Sequence, residues 1–235
     1  MQGQQPAVSV VIPTYNERDN ISPLHAAITQ ALGDAWQYEL IFVDDNSPDG
    51  TAEAIEKLAT EDTRVRLLQR PGKLGLGSAV TAGFSSAQGA YWVMMDADLS
   101  HQPRYLPALL DALQTADIAV GSRYVEGGGV EAWPVLRRLA SRVASQIGRW
   151  VVGIPTRDLT SGFAAFRRQA LQPLLPYLDP RGFKLLLEVL AKSKGARVTE
   201  VPIRFVDRIY GQSKFSSGEV LTYLRLCWRL RRGQR

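Results

Sequence analysis

Short apolar runs alternate with longer amphipathic stretches over the first half of the chain. Runs of three to six residues, rich in valine, isoleucine and aromatic residues, are typical of strands buried on both faces of a parallel sheet. The stretches between these runs place their apolar residues at helical spacing. The pattern predicts an α/β fold in which a mostly parallel sheet is covered by helices on both faces.

Five strands are predicted from the apolar runs, at residues 8–12, 38–43, 65–68, 91–95 and 118–120. Helices are predicted between them: one ending near residue 32, one starting at a Thr51 cap, one ending at residue 87 and one starting near Pro103. We find no internal repeat or linker in the sequence. We therefore expect one large domain at residues 1–216, followed by an amphipathic helix at residues 217–235.

Two aspartates, Asp96 and Asp98, follow the run at residues 91–95 directly. Ligands of open α/β sheets bind at the carboxyl ends of the strands, where these residues are predicted to lie. Two neighbouring carboxylates repel each other and need protons, basic side chains or a divalent cation that also holds a ligand phosphate. We favour the cation. The alternative is a capping role, in which Asp98 or Ser100 closes the helix near Pro103.

The glycine-rich loop at residues 72–77 resembles a phosphate-binding loop, although it is neither a Walker A motif nor a full dinucleotide fingerprint. A dinucleotide-dependent dehydrogenase would have its glycines after the first strand. Residues 13–17 of this chain are Pro-Thr-Tyr-Asn-Glu. The sequence therefore argues against a dehydrogenase.

The composition limits the possible metal chemistry and indicates an anionic partner. One cysteine, Cys227, and two histidines, His25 and His101, exclude an internal disulfide and a cysteine- or histidine-rich zinc site, so a metal would need oxygen ligands. Residues 1–120 have 7 Lys/Arg against 15 Asp/Glu, a net charge of −8, whereas residues 121–235 have 21 against 8, a net charge of +13. The basic half favours nucleic acid, a phosphorylated substrate or an anionic membrane as partner, or is simply a solvated basic face.

No apolar run approaches the roughly 18 to 20 residues that span a bilayer, and the first six residues lack signal-peptide features, so we expect a cytoplasmic protein. The last 18 residues predict a helix with an apolar side and a basic side. The apolar side comprises Val220, Leu221, Leu224, Cys227, Trp228 and Leu230, and the basic side comprises Arg225, Arg229 and Arg232. This helix either lies in a membrane interface or docks on its own domain.

Seven short motifs, in order, resemble those of the family 2 glycosyltransferases, which use nucleotide-diphosphosugar donors and have the GT-A fold. They are VVIPTYNE (10–17), VDDNSPDGT (43–51), KLGLG (73–77), DADLSH (96–101), SRY (122–124), DLTSGF (158–163) and RIYGQSK (208–214). Within the family, the resemblance is to the catalytic subunits of dolichyl-phosphate and other polyprenyl-phosphate mannose synthases. It implies a Rossmann-like, mostly parallel central sheet.

The resemblance also implies an activity: a metal-dependent hexosyltransferase that moves mannose from GDP-mannose to dolichyl or polyprenyl monophosphate with inversion. The expected cofactor is Mg²⁺ or Mn²⁺. The expected partners are the membrane surface, with the chain peripherally associated with its cytoplasmic face, and a possible separate membrane-anchoring subunit, but no nucleic acid. Two alternatives stay open: a related transferase using UDP-glucose or another donor, and a non-catalytic subunit that binds nucleotide sugar or anionic lipid.

The resemblance further assigns site residues, which fall into three groups. Around the guanosine it places Pro13, Tyr15, Glu17, Val43 and Asp45. At the ribose and diphosphate it places Asp96, Ala97 and Asp98, with Asp98 as main metal ligand and Ser100 at a position where some relatives have a metal-binding glutamine. As phosphate-binding and catalytic residues it adds Arg123, Arg208 and Lys214 to Asp98. As alternatives, Glu17 stabilises a helix N-terminus and Tyr15 belongs to the core.

Overall fold

The computed structural model describes residues 6–131, 135–179, 184–206 and 217–233. The strands are β1 (Val8–Thr14), β2 (Tyr38–Asp44), β3 (Val65–Gln69), β4 (Tyr91–Met94), β5 (Ile118–Ser122), β6 (Gly129–Val130), β7 (Ala164–Arg167), β8 (Val198–Pro202) and β9 (Arg204–Phe205). The helices are α1 (Arg18–Leu32), α2 (Thr51–Glu61), α3 (Leu76–Ser86), α4 (Leu106–Ala112), α5 (Val135–Val152), α6 (Arg168–Leu171), α7 (Leu185–Lys192) and α8 (Ser217–Gly233), with short 3₁₀ helices at Pro103–Tyr105 and Gln172–Tyr177.

Seven strands form the main sheet in the order β3-β2-β1-β4-β7-β5-β8, and β6 pairs with β9 in a separate ribbon. All pairs in the main sheet are parallel except those of β7, which runs antiparallel to β4 and to β5. The predicted α/β fold with a mostly parallel sheet is confirmed. The sequence did not predict β7. Because β7 runs in the opposite direction, the residues before it, rather than after it, lie at the carboxyl edge of the parallel strands.

Each face of the sheet is covered by an apolar layer, as strands buried on both sides require. In β1, Val11 packs in one layer, whereas its neighbours Val10 and Ile12 pack in the other. Helix α3 lies so close to β1 that a Cβ on Gly83 would come 2.3 Å from Val11 Cγ1. This glycine therefore sets the distance between helix and sheet.

Helix α8 packs against α5 through Tyr223, Leu226, Cys227 and Leu230, which are all buried. The structure thus shows the predicted helix docked on its own domain along one face. Trp228, also on the predicted apolar side, does not join this buried contact and is 54% exposed. Of the predicted apolar side, the side chains of residues 220, 221 and 224 lie outside the described residues. No helix within the described residues has the length and apolar character needed to cross a membrane.

The start of α2 also differs from the prediction. Thr51 is the first helical residue, and the capping position is Gly50, with φ +88°. The Thr51 hydroxyl donates 2.6 Å to Asp49 Oδ1 and accepts 3.0 Å from the backbone N–H of Glu17. Thr51 therefore ties the start of α2 to the loop after β1.

Candidate active site

The loop after β4 has a local geometry that organises Asp98. Leu99 has φ +58°, which is costly for a bulky side chain. This backbone lets the N–H and the hydroxyl of Ser100 both donate to Asp98 Oδ1, at 3.1 and 2.5 Å. Asp98 and Ser100 are both buried. The strained loop therefore holds a carboxylate in one orientation at the carboxyl edge of the sheet.

The alternative capping role for this pair is wrong. The 3₁₀ helix at Pro103–Tyr105 has Gln102 at its capping position, and no side chain makes the capping hydrogen bond. Asp98 and Ser100 bond each other instead. Their geometry therefore does not arise from closing the following helix.

Asp96 lies beside the segment that precedes β7. Its carboxylate is 3.4 Å from His101 Nδ1, and a Cβ on Gly162 would come 2.4 Å from Asp96 Oδ2. The side chain of Asp96 is 31% exposed, whereas the intervening Ala97 is buried. The antiparallel direction of β7 is what brings Gly162 to this carboxylate.

Arg123, at the end of β5, is held in a buried ion pair with Asp158. The Nε and Nη2 groups donate to the two oxygens of Asp158 at 2.7 and 2.8 Å, and Nη2 also donates 2.8 Å to Thr160 Oγ1. Burial alone would lower the pKa of Arg123 and raise the pKa of Asp158. The opposite charge and the hydrogen bonds outweigh burial, so that the pKa of Arg123 is raised and the pKa of Asp158 is lowered.

Asp158 is in turn fixed by Glu200 of β8. The Glu200 carboxylate accepts the backbone N–H groups of Arg157 and Asp158 at 2.8 and 3.0 Å. The sequence placed Arg123 on the donor phosphates. The structure places it at the carboxyl edge of the sheet and commits two of its nitrogens to Asp158, so the phosphate contact stays a prediction.

Asp45, predicted near the guanosine, joins β2 to the glycine-rich loop. Its Oδ1 accepts 2.5 Å from Arg70 Nε, and its Oδ2 accepts the backbone N–H groups of Leu74 and Gly75, both at 3.1 Å. Both Asp45 and Arg70 are buried. The loop is therefore held by one carboxylate, and Arg70, which sequence reasoning missed, completes the arrangement.

The remaining predicted guanosine residues lie at the ends of β1 and β2. Pro13 and Val43 are register partners in adjacent strands. Tyr15 is 36% exposed, and its ring centre is 3.8 Å from the Lys73 ammonium, so the alternative that it belongs to the core is wrong. Glu17 accepts 2.6 Å from the Asn20 amide in the first turn of α1. The structure thus brings all five guanosine candidates to the same edge of the sheet.

Two predicted phosphate ligands, Arg208 and Lys214, lie outside the described residues. Backbone N–H of Val206 donates 3.1 Å to the carbonyl of Ser100, so the segment leading to them starts beside the Asp-x-Asp loop.

The oxygen donors at this edge fit a hard divalent cation. Within the described residues, no three acidic, histidine or cysteine side chains cluster as a complete metal site. Asp98 is nevertheless a buried carboxylate, and the Ser100 hydroxyl that donates to it keeps lone pairs for a cation. Such a donor set fits Mg²⁺ or Mn²⁺, which complete their coordination with water and substrate phosphates.

The chain belongs to a class of sugar-transferring enzymes, glycosyl transferase family 2, whose family model matches residues 9–175. It is similar to a dolichol-phosphate mannosyltransferase of Pyrococcus furiosus, with 43% identity over 228 residues, which are 95% of this chain and 63% of the relative. It is also 41% identical to a polyprenol monophosphomannose synthase of Mycolicibacterium smegmatis over 219 residues, which are 90% of this chain and 82% of the relative. The chain thus spans less than two thirds of the Pyrococcus relative.

Solved structures with the same fold include two enzymes crystallised with Mn²⁺ and a nucleotide sugar. One is the mannosyltransferase PcManGT of Pyrobaculum calidifontis with GDP-Man and Mn²⁺ (TM-score 0.64, 21% identity, 99% of this chain and 62% of that chain). The other is glucosyl-3-phosphoglycerate synthase of Mycobacterium tuberculosis with Mn²⁺ and UDP-glucose (TM-score 0.68, 19% identity, 97% and 80%). At these identities the likeness establishes the GT-A fold.

Proposed function

We propose that this chain transfers mannose from GDP-mannose to a polyprenyl monophosphate, with inversion at the anomeric carbon, at the cytoplasmic face of a membrane. The observation that carries the proposal is the 41% identity to a polyprenol monophosphomannose synthase over 82% of that relative. The arrangement of Asp96 and Asp98 at the carboxyl edge of the sheet supports it, because a donor diphosphate would meet both carboxylates there.

The chain's own residues have separable tasks in this reaction. Asp98, oriented by Ser100, would hold Mg²⁺ or Mn²⁺ on the donor diphosphate, and the bound cation would stabilise the departing nucleoside diphosphate. Asp96 and the backbone at Ala97 would contact the ribose and diphosphate. Tyr15 and Asp45 would form the guanosine side, Tyr15 with an exposed ring and Asp45 by holding the glycine-rich loop in place.

The acceptor would need no strong general base. The second pKa of a phosphate monoester is about 6, so near neutral pH the acceptor is already largely a dianion. What the chain must supply is alignment and positive charge, because two polyanions have to meet. We assign this charge mainly to Arg208 and Lys214. Arg123 would contribute less, because its charge is paired with Asp158 at the edge of the site.

The surface of α5 and α8 would form the contact with the membrane. Three apolar side chains of α5 point outward at helical spacing: Val143, Ile147 and Trp150 are 48%, 38% and 80% exposed. Exposed arginines of α8 lie on the helix packed against α5, namely Arg225, Arg229, Arg231 and Arg232. Apolar side chains next to arginines are the composition of a surface that binds anionic lipid.

The deciding experiment incubates the purified chain with GDP-mannose, UDP-glucose or other nucleotide sugars, polyprenyl phosphate, and Mg²⁺ or Mn²⁺. The mass of the lipid product identifies donor and acceptor together. We expect polyprenyl-phosphate mannose from GDP-mannose. We expect no product when a polyprenyl alcohol replaces the polyprenyl phosphate, because the hydroxyl group of the alcohol would need a general base. Another sugar in the product would show that the donor is a different nucleotide sugar. Binding without turnover would indicate a non-catalytic subunit.

Two variants test the assigned residues in the same assay. Asp98→Asn removes the anionic ligand and should abolish transfer with the fold intact. Lys214→Ala should reduce transfer roughly tenfold to a hundredfold, since a charge-assisted contact contributes about 1.5 to 3 kcal/mol, while GDP binding weakens much less. Lys57→Ala, on the exposed surface of α2, is the matched control. Full activity in either site variant would remove that residue from the site.

A further inference from the structure

His101 ends the loop that carries Asp96 and Asp98, and its side chain is almost completely buried. The residue is 2% exposed. The centre of its ring lies 5.6 Å from the ring of Phe163, which precedes β7, and 5.0 Å from the ring of Phe205 in β9. Aromatic packing from two distant parts of the chain therefore fixes the position of the imidazole.

Within this packing, the two ring nitrogens of His101 are buried without hydrogen bonds to the described residues. Among the described residues, the nearest acidic oxygen is Asp96 Oδ2, 3.4 Å from Nδ1, a contact that is longer and less aligned than an ordinary hydrogen bond. Leaving a buried polar group unsatisfied destabilises the folded state. Apolar packing alone would not select a histidine here.

The other side of Asp96 is equally restricted. A Cβ at Gly162 would come within 2.4 Å of Asp96 Oδ2, so that only glycine fits without moving the carboxylate. The carboxylate therefore occupies a narrow gap between the imidazole of His101 and the backbone of Gly162. Its side chain is still 31% exposed, so a ligand can reach it.

We propose that His101 is a positioning residue for Asp96. When the nucleotide-sugar donor binds, the Nδ1–H group of His101 donates to Asp96 Oδ2, and the 3.4 Å contact shortens to an ordinary hydrogen bond. The bond holds the carboxylate in the orientation that meets the donor ribose and diphosphate. The inference rests on the proposed function, because it takes Asp96 as a donor-binding residue.

Two substitutions separate the hydrogen bond from the packing. His101→Phe keeps an aromatic ring between Phe163 and Phe205 but removes the N–H, whereas His101→Asn puts an amide nitrogen about where Nδ1 lies. We expect His101→Phe to weaken calorimetric binding of GDP in the presence of Mn²⁺ roughly tenfold, and His101→Asn to retain most of the affinity. Wild-type affinity in His101→Phe would overturn the proposal.

A double-mutant cycle with Asp96→Ala tests whether His101 acts through Asp96. In that background His101→Phe should cause little further loss of GDP affinity, whereas a purely structural role would cause the same loss in both backgrounds and contradict the proposal. His25→Phe is the matched control. His25 lies away from the site, where its Nε2 is 2.8 Å from Asp62 Oδ2, so this substitution should leave GDP affinity unchanged.

A second variant keeps the test decisive if His101→Phe does not fold. Gly162→Ala displaces the Asp96 carboxylate from the opposite side, so it should weaken GDP binding in the same way; unchanged binding would overturn the proposal. The wild-type transfer assay reports on the proposed function separately. If the wild type binds UDP instead of GDP, all variants are measured with UDP, and the conclusion on His101 is independent of the donor.

Discussion

Arg123 and Asp158 form an ion pair between side chains that are only 5% and 0% exposed. They are 35 residues apart in the sequence: Arg123 directly follows β5, and Asp158 lies in the segment before β7. The pair joins the end of a parallel strand to the start of the antiparallel strand. It thereby fixes the loop whose Gly162 confines Asp96.

This pair should be important for stability. Asp158→Asn removes the carboxylate that pairs with the buried Arg123 charge, and breaking a buried ion pair in this way costs about 3 to 5 kcal/mol of unfolding free energy. Urea denaturation measures the loss. The matched control is Asp117→Asn, whose partner Arg197 is 65% exposed and should be stabilised by water. An equal effect of both substitutions would contradict a special role for the buried pair.

Acid should weaken the fold through Asp62. Hydrogen bonds from Arg64 outweigh burial, with a further bond from His25, and hold the pKa of Asp62 well below its ordinary value of 3.8. A carboxylate with a lowered folded-state pKa stabilises the protein above its unfolded-state pKa, and this stabilisation is lost as the pH falls toward the folded-state value.

The measurement is the difference in unfolding free energy between wild type and Asp62→Asn from about pH 5 to about pH 2. We expect the wild type to be the more stable at the higher pH and the difference to narrow below the ordinary pKa of 3.8. A difference that stays constant across this range would show that the carboxylate charge does not contribute.

Substitutions of Ser100 should change the affinity for the metal, which alanine should lower and glutamine should raise. Ser100→Ala removes the 2.5 Å hydrogen bond to Asp98 Oδ1 and should weaken Mn²⁺ binding in the presence of GDP, because groups that orient a ligand carboxylate support affinity. Ser100→Gln also loses this hydrogen bond but adds an amide oxygen as a direct metal ligand, and should therefore tighten Mn²⁺ binding. Calorimetric metal titrations compare the three proteins, and three equal affinities would exclude this position from the metal site.

Binding to anionic liposomes should depend on Trp150. The chain should sediment with the liposomes and be released by salt, because charges on α8 are screened within about 8 Å at physiological ionic strength. Trp150→Ser removes an 80% exposed ring from the α5 surface and should weaken binding several-fold. Tyr177→Ser, a 71% exposed ring on a 3₁₀ helix, is the control. Equal sedimentation of both variants would place the membrane contact elsewhere.

Local sequence patterns were sufficient for the strands β1 to β5 and for the location of the acidic pair. An apolar run such as residues 91–95 has to be buried, and the polar residues that follow it have to leave the sheet at its edge. The resemblance to a glycosyltransferase family then predicted which side chains meet there, and the described ones, from Pro13 to Arg123, lie at that edge.

Only the tertiary structure decided how these side chains are held. The four-residue strand β7 has no distinctive period, and its direction depends on the neighbours β4 and β5. That direction brings Gly162 against Asp96 and Asp158 against Arg123. A sequence pattern reflects the periodic burial of side chains within one element, whereas these contacts depend on which elements become neighbours, so no local pattern contains them.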